Sequence, residues 1–173
     1  MMQHVKGRKG NAILEFTLVG IPLIFLMLSV ANISFGMFTL HTMQEAVEQA
    51  ARYVVTHGST CSSGTNSCSI TVGDIATTIA SAAPGVINSY LNVTLIPNSG
   101  TGSQTTCNPV TVCFTNSTAW PPSSNSNNAP GSDIVITADF DYPSPVAMFW
   151  PGKGSVRFGT LAFHAASRQR LMF

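Results

Sequence analysis

The residues best suited to chemistry in this chain are four cysteines, and their spacing suits disulfide bonds. They stand at Cys61, Cys68, Cys107 and Cys113. A zinc site would need closer pairs of the Cys-x-x-Cys type, whereas an even number of cysteines in an exported segment is typical of disulfides. Three pairings are possible. We favour the local ones, Cys61 with Cys68 and Cys107 with Cys113, and predict no metal site.

The titratable side chains form no recognisable catalytic motif. The sequence has no Gly-x-Ser-x-Gly segment, no His-Glu-x-x-His motif and no phosphate-binding loop. Asp133, Asp139 and Asp141 could together hold Ca²⁺, but solvated side chains on a strand are the favoured interpretation. Arg168 and Arg170 are predicted to form a solvated chain end. We therefore predict a protein that is not an enzyme and has no cofactor or metal ion.

Charge is scarce in this chain and unevenly distributed. Charged residues make up 9% of the 173 residues, against about 25% in ordinary globular domains. Little charge together with 45% hydrophobic residues argues against a disordered chain. It also argues against a nucleic-acid partner, which would require a basic surface. Lys6, Arg8 and Lys9 form a basic cluster at the start.

A long uncharged segment follows this basic start. Residues 16–40 contain no Asp, Glu, Lys or Arg. As a helix they would extend about 37 Å, enough to cross a hydrocarbon core of about 30 Å. We predict a single transmembrane helix, with the basic cluster in the cytoplasm and the later residues on the far side.

Glu15, at the start of this segment, bears on the choice between an anchor and a cleaved signal. A carboxylate costs about 2.5–3.5 kcal/mol at the centre of a membrane helix and less near its end. A secretory signal cleaved after Ala31 would fit the small residues Ser29 and Val30. However, the apolar run continues past Ala31. A cleaved signal also gives no reason for the unfavourable carboxylate of Glu15. The alternative function is an exported binding domain, either held by an uncleaved signal anchor or released by signal peptidase.

The residues around Gly10 resemble the processing site of type IV pilin-like precursors. A short basic leader ends at Gly10, and residues 11–16 read Asn-Ala-Ile-Leu-Glu-Phe. In that family a membrane prepilin peptidase cuts after the glycine, and the fifth mature residue is Glu, followed by an aromatic. Residues 49–53 (Gln-Ala-Ala-Arg-Tyr) are similar to the segment that ends the TadE homology region. Over residues 7–56 the chain is similar to TadE-like pseudopilins, the minor pilin-like proteins of tight-adherence (Tad/Flp) pili.

This resemblance implies a role for the first residues of the mature chain. Cleavage between Gly10 and Asn11 would create an amine four residues from Glu15. Glu15 of an incoming subunit would then neutralise the N-terminal amine of its neighbour, in surroundings that screen charge poorly. Glu15 and Phe16 are the implied assembly residues.

The resemblance also implies a location and partners. The chain would be a single-pass protein of a bacterial inner membrane, with its C-terminal domain in the periplasm or, within a pilus, outside the cell. Its partners would be prepilin peptidase, membrane lipid, other pilin-like subunits and the pilus assembly platform, in a filament or complex. It would be a structural component or assembly factor of the pilus, and adhesion would be the end result.

Small and polar residues follow one face of the predicted spanning helix. Ser29, Asn32, Gly36 and Thr39 are three, four and three residues apart. In membranes such a stripe lets helices approach closely and form hydrogen bonds. We predict that it packs against other pilin-like helices; a chance scatter of small residues is the alternative.

The chain is predicted to contain three parts: a leader (1–10), a long helix (11–57) and an exported domain (58–173). The end of the helix, after residue 40, is amphipathic. In the domain we predict a short helix at 72–83 with Thr71 as its N-cap. Strands are predicted at 91–96, 110–115, 134–142 and 155–166, and loops at 98–106 and 120–132. The predicted fold is α+β and pilin-like, with a small antiparallel sheet.

Overall fold

The fold is a long N-terminal helix followed by a short helix and a small antiparallel sheet. The computed structural model describes residues 11–57, 70–97, 104–122, 131–143 and 160–172. Helix α1 spans Asn11–Thr56 and α2 spans Val72–Ala82. The strands are β1 (Leu91–Pro97), β2 (Thr105–Cys107), β3 (Asp133–Pro143) and β4 (Thr160–Arg170). This architecture confirms the predicted α+β class.

The upper half of α1, residues 43–56, attaches the helix to the domain. Its buried side chains recur at helical spacing: Met43, Ala46, Val47, Ala50, Ala51 and Val54. On the exposed side, Arg52 donates a hydrogen bond to Glu48 one turn earlier. A helix with one apolar stripe and one charged face packs its stripe against a core. The predicted amphipathic pattern is confirmed.

Helix α2 begins at a capping box. The Thr71 Oγ1 accepts a hydrogen bond from the backbone N–H of Asp74 (3.2 Å), and the Asp74 carboxylate accepts one from the backbone N–H of Thr71 (3.0 Å). These bonds satisfy backbone donors that the first turn of a helix leaves unpaired. The helix ends at Ala82 and a turn follows, in which Gly85 has φ +90°. The predicted cap is confirmed, and the predicted end is one residue too late.

Gly73, in the first turn of α2, is pressed against the backbone of residues 113–116. An alanine Cβ there would lie 2.7 Å from the carbonyl oxygen of Phe114 and 3.1 Å from that of Asn116. A glycine-to-alanine change inside a helix ordinarily stabilises by up to about 1 kcal/mol. Here the sign reverses, because two backbone oxygens would have to move.

We expect Gly73→Ala to lower the free energy of unfolding by about 1–3 kcal/mol, as overpacking does in other cores. Urea unfolding of the detergent-solubilised full chain measures this. Ser81→Ala, on the exposed last turn of the same helix, should change the free energy by less than about 0.5 kcal/mol. If Gly73→Ala proves as stable as the parent, the 113–116 turn does not press on α2.

The sheet has the strand order β2-β1-β3-β4, with all pairs antiparallel. Strand β3 buries every second side chain: Ile134, Ile136, Ala138, Phe140 and Tyr142. The residues between them point to the other face, where Asp139 and Asp141 are exposed. This alternation is typical of a sheet with one covered face, and it was predicted for residues 134–142.

Strand β4 ends further along the chain than predicted. Its described part spans Thr160–Arg170, so it ends four residues after the predicted end at 166, and residues 155–159 lie outside the described residues. The register explains the shift, because Arg170 pairs with Asp133 at the very start of β3. Arg168 and Arg170 are therefore residues of β4. Both side chains are exposed, as predicted, and Arg168 forms an ion pair with Asp133.

The predicted strand at residues 110–115 is wrong. Val110–Cys113 forms a 3₁₀ helix, and a strand lies earlier, at Thr105–Cys107, partly inside the predicted loop. The disulfide between Cys107 and Cys113 explains the error. It holds their Cα atoms 5.7 Å apart, whereas six residues of strand would separate them by about 20 Å. The other predicted pair, Cys61 with Cys68, lies outside the described residues.

The core lies between the two helices and the inner face of the sheet. Its largest fully buried side chains include Trp120, Phe140, Met43, Ile75, Ile79 and Leu91. Trp120 also donates its backbone N–H to the carbonyl oxygen of Ile70 (2.9 Å), which ties the segment after the disulfide loop to the start of α2. The disulfide loop thus contributes to the core, since Val110 and Cys113 are buried in it.

Removal of the Cys107–Cys113 bond should destabilise the domain without unfolding it. The chain-entropy model gives about 2 kcal/mol for so short a loop, and the loosened contacts of Val110 add to this. We expect the Cys107→Ser/Cys113→Ser double variant to lose about 2–4 kcal/mol in urea unfolding. Thr106→Ser, beside the bond on an exposed position, is the control and should lose less than about 0.5 kcal/mol. An unchanged midpoint in the double variant would contradict this role.

Candidate functional site

The first part of α1 has an apolar surface that the rest of the chain leaves uncovered. Its large side chains between residues 13 and 38 are exposed, with Phe16 at 76% and Phe25 at 60%. We call residues 13–38 the bare half of α1. Within the described ranges, α1 is the one helix long and apolar enough to cross a membrane, and no part of its apolar window is buried in the chain. A core helix would be covered, so the bare half is a candidate membrane span where one was predicted.

Glu15 lies at the beginning of the bare half. The structure describes α1 from Asn11 onward, so Glu15 opens the second turn, about 6 Å along the helix axis from Asn11. Glu15 and Phe16 are both exposed. Gly10, the other side of the predicted cleavage site, lies outside the described residues.

The stripe of small residues runs from the bare half into the domain. Ser29 is exposed and donates its hydroxyl to the Phe25 carbonyl oxygen (2.7 Å), and Asn32 is half-buried. Gly36 and Thr39 are buried. These last two therefore face this chain's own domain. Packing of the stripe against other pilin-like helices stays a prediction for the part around Ser29 and Asn32.

Gly36 marks the level at which the helix meets the sheet. A Cβ added there would lie 3.4 Å from a ring carbon of Phe163 and 3.9 Å from one of Tyr142. The two rings stack with their centroids 5.5 Å apart. Sequence reasoning missed this contact, because nothing local in the chain pairs Gly36 with aromatic residues so distant in sequence. The one available signal was a lone glycine between Phe35 and Met37.

Asp133 and Asp139 of β3 contact polar side chains of β4, and the acidic residues of the described sheet assemble no metal site. The Asp139 Oδ1 lies 2.6 Å from the His164 Nδ1, and the Asp133 Oδ2 accepts from the Arg168 Nη2 at 2.5 Å. In the part of the chain that the structure describes, no three His, Cys, Asp or Glu side chains lie close enough together to hold a metal ion. The calcium alternative therefore has no support. Exposed ion pairs of this kind contribute about 0–1 kcal/mol.

An open groove on the exposed side of α1 is lined by Glu45, Glu48, Gln49 and Arg52. The ion pair between Glu48 and Arg52 lies within it. The groove offers exposed charged side chains on a single helix face, and no histidine, serine or cysteine is among its lining residues.

The bare half of α1 and its junction with the domain are similar to a known protein family. The family model of TadE-like protein matches residues 10–52. This match begins at the predicted cleavage site, includes Glu15 and the bare half, and ends at Arg52 on the upper half. It confirms the resemblance drawn from the sequence. No curated protein and no solved structure matches the chain.

Proposed function

We propose that this chain is a structural component or assembly factor of a tight-adherence (Tad) pilus, anchored in the inner membrane by the bare half of α1. One observation carries the proposal: the TadE-like match at residues 10–52 falls on a helix whose apolar half projects, uncovered, from a folded domain. Such a helix can exchange lipid for neighbouring apolar helices when the subunit enters a filament. The role requires no catalytic group.

Processing by prepilin peptidase is the first step of the proposal. Cleavage between Gly10 and Asn11 removes the basic leader and leaves an α-amino group at Asn11. In the helix, this amine lies one turn from Glu15. The Glu15 carboxylate of an incoming subunit binds the amine of its neighbour, since opposite charges attract more strongly where water is excluded. The ion pair sets the register of adjacent helices.

The domain lies in the periplasm in this proposal. The basic cluster Lys6, Arg8 and Lys9 precedes the candidate span, and basic residues remain on the cytoplasmic side of membrane helices. The Cys107–Cys113 disulfide lies beyond the span, and structural disulfides persist in oxidising compartments such as the periplasm. Both observations support the same orientation.

Release of the domain by signal peptidase fits the structure less well than anchoring. Residues 29–31 lie within continuous helix. Cleavage after Ala31 would leave Ile33, Phe35 and Phe38 exposed to water on the released domain. An uncleaved signal anchor carrying a binding domain stays the alternative.

Photo-crosslinking in cells tests the pilus role. p-Benzoylphenylalanine replaces Phe25, in the middle of the bare half, in cells that express the complete Tad machinery and in matched cells that lack its other genes. We expect protein adducts with other pilin-like subunits only in the first strain, and lipid adducts in both. Lipid adducts alone in both strains would indicate a simple membrane anchor.

A further inference from the structure

Three large apolar side chains are exposed at one end of the domain. Ile87, Tyr90 and Leu161 are 48%, 54% and 51% exposed. Tyr90 directly precedes β1, and Leu161 is the second residue of β4. Both strands run antiparallel to β3, which lies between them, so their starts lie at the same end of the sheet. We call Ile87, Tyr90 and Leu161 the basal surface.

The basal surface adjoins the bare half of α1. Two residues after Leu161, the Phe163 ring packs on Gly36. Two residues before Ile87, Gly85 lies beside Phe38, with 3.8 Å between the position of an added Cβ and the ring. The apolar surface of the helix therefore continues onto the end of the domain without a gap.

Helix length places this junction at the edge of a bilayer. Twenty residues separate Glu15 from Phe35, which in a helix corresponds to about 30 Å, the thickness of the hydrocarbon core. At the next residue, Gly36, α1 contacts the domain through Phe163. No helical spacer therefore lifts the domain away from the lipid headgroups. Leu161 lies two strand residues, about 7 Å along β4, from Phe163, on the side away from the buried Ala165.

The chemistry of the basal surface matches the headgroup layer. Residues 83–91 and 160–163 contain no Asp, Glu, Lys, Arg or His. Tyrosine is enriched where hydrocarbon meets water, because its ring is apolar and its hydroxyl is polar. Asp141 is exposed at the same end, on the outer face of the sheet opposite Ala162. Its carboxylate requires hydration, which places this end among the headgroups and not deeper.

We propose that the basal surface rests in the headgroup layer of the membrane that α1 spans, an inference that rests on the anchoring proposed above. The domain is then held at two places, by the helix and by its own end. Before assembly, this contact fixes the height and tilt of the domain on the bilayer. Extraction of the subunit into a filament must break it.

Lipid photo-crosslinking tests this contact. p-Benzoylphenylalanine replaces Tyr90 or Leu161 in the full chain, reconstituted into vesicles of phosphatidylethanolamine and phosphatidylglycerol. Phe25, in the span, is the positive control. Met172, 85% exposed beyond the opposite end of β4, is the matched control away from the membrane. Near-ultraviolet circular dichroism verifies that each variant is folded. We expect both test variants to fold, because Tyr90 and Leu161 are exposed.

We expect Tyr90 and Leu161 to give about tenfold more lipid adduct than Met172, as interfacial side chains should. If Phe25 forms lipid adducts but Tyr90 and Leu161 form no more of them than Met172 does, the basal contact is overturned and the anchor is left intact. Adducts from the test sites to a second copy of the chain would also overturn it, and would identify a subunit interface. No lipid adduct at Phe25 would overturn the anchor and the contact together.

Discussion

Glu15→Ala should yield a protein that is processed normally but is missing from assembled pili. In the proposed mechanism the peptidase acts between Gly10 and Asn11, which the substitution leaves in place. Assembly, in contrast, would lose the carboxylate that is proposed to bind the neighbouring amine. We expect recovery in the sheared pilus fraction to fall at least about tenfold, because an ion pair in a weakly screening environment contributes more than the 1.4 kcal/mol that corresponds to this factor. Immunoblots of the membrane and pilus fractions measure it.

Two variants separate the charge of Glu15 from its size and from general effects on acidic residues. Glu15→Gln keeps the shape but loses the charge, and it should fail like Glu15→Ala. Glu45→Gln changes an exposed glutamate on the upper half of the same helix and should assemble normally. Normal recovery of Glu15→Gln in pili would show that no ion pair aligns the subunits.

Phe140→Ala should be the most destabilising single change among core residues of the sheet. The side chain is buried in the second half of β3, between Leu91 of β1 and Phe163 of β4, and its ring lies edge-on to that of Tyr142. Truncation leaves a cavity that the surrounding strands fill only in part. Changes of this kind lower the free energy of unfolding by about 3–5 kcal/mol. Urea unfolding in detergent, followed by circular dichroism, measures the loss.

The matched control for this change is Ala166→Ser, on an exposed position of β4. It should shift the free energy of unfolding by less than about 0.5 kcal/mol. A loss below about 1 kcal/mol in Phe140→Ala would mean that the sheet repacks easily and that the helices hold the domain together without it.

Local periodicity accounts for the parts of the fold that the sequence predicted well. In the upper half of α1, apolar residues recur at helical spacing, and in β3 they alternate strictly, so each pattern admits one regular structure. The start of α2 was equally predictable from the sequence, because Thr71 and Asp74, three residues apart, form its cap. The bare half of α1 was evident from its lack of charge.

The errors arose where distant residues decide local structure. Residues 110–113 are an exception: they have strand-forming side chains, yet they form a 3₁₀ helix inside the short loop that the Cys107–Cys113 bond closes. The pairing of Arg170 with Asp133 extends β4 beyond its predicted end. The burial of Gly36 by Phe163 depends on how the whole sheet lies on α1, and no short-range pattern contains that information.

Determination of the N-terminal residue of the protein, purified from whole cultures of cells with active prepilin peptidase, tests the pilin-like mechanism most directly. The mechanism requires an amine close to Glu15, so we predict a mature chain that begins at Asn11. A chain that still begins at Met1 would contradict processing and would support an uncleaved anchor. A chain that begins at Asn32 would have lost Glu15 and most of the span, and would indicate a secreted domain.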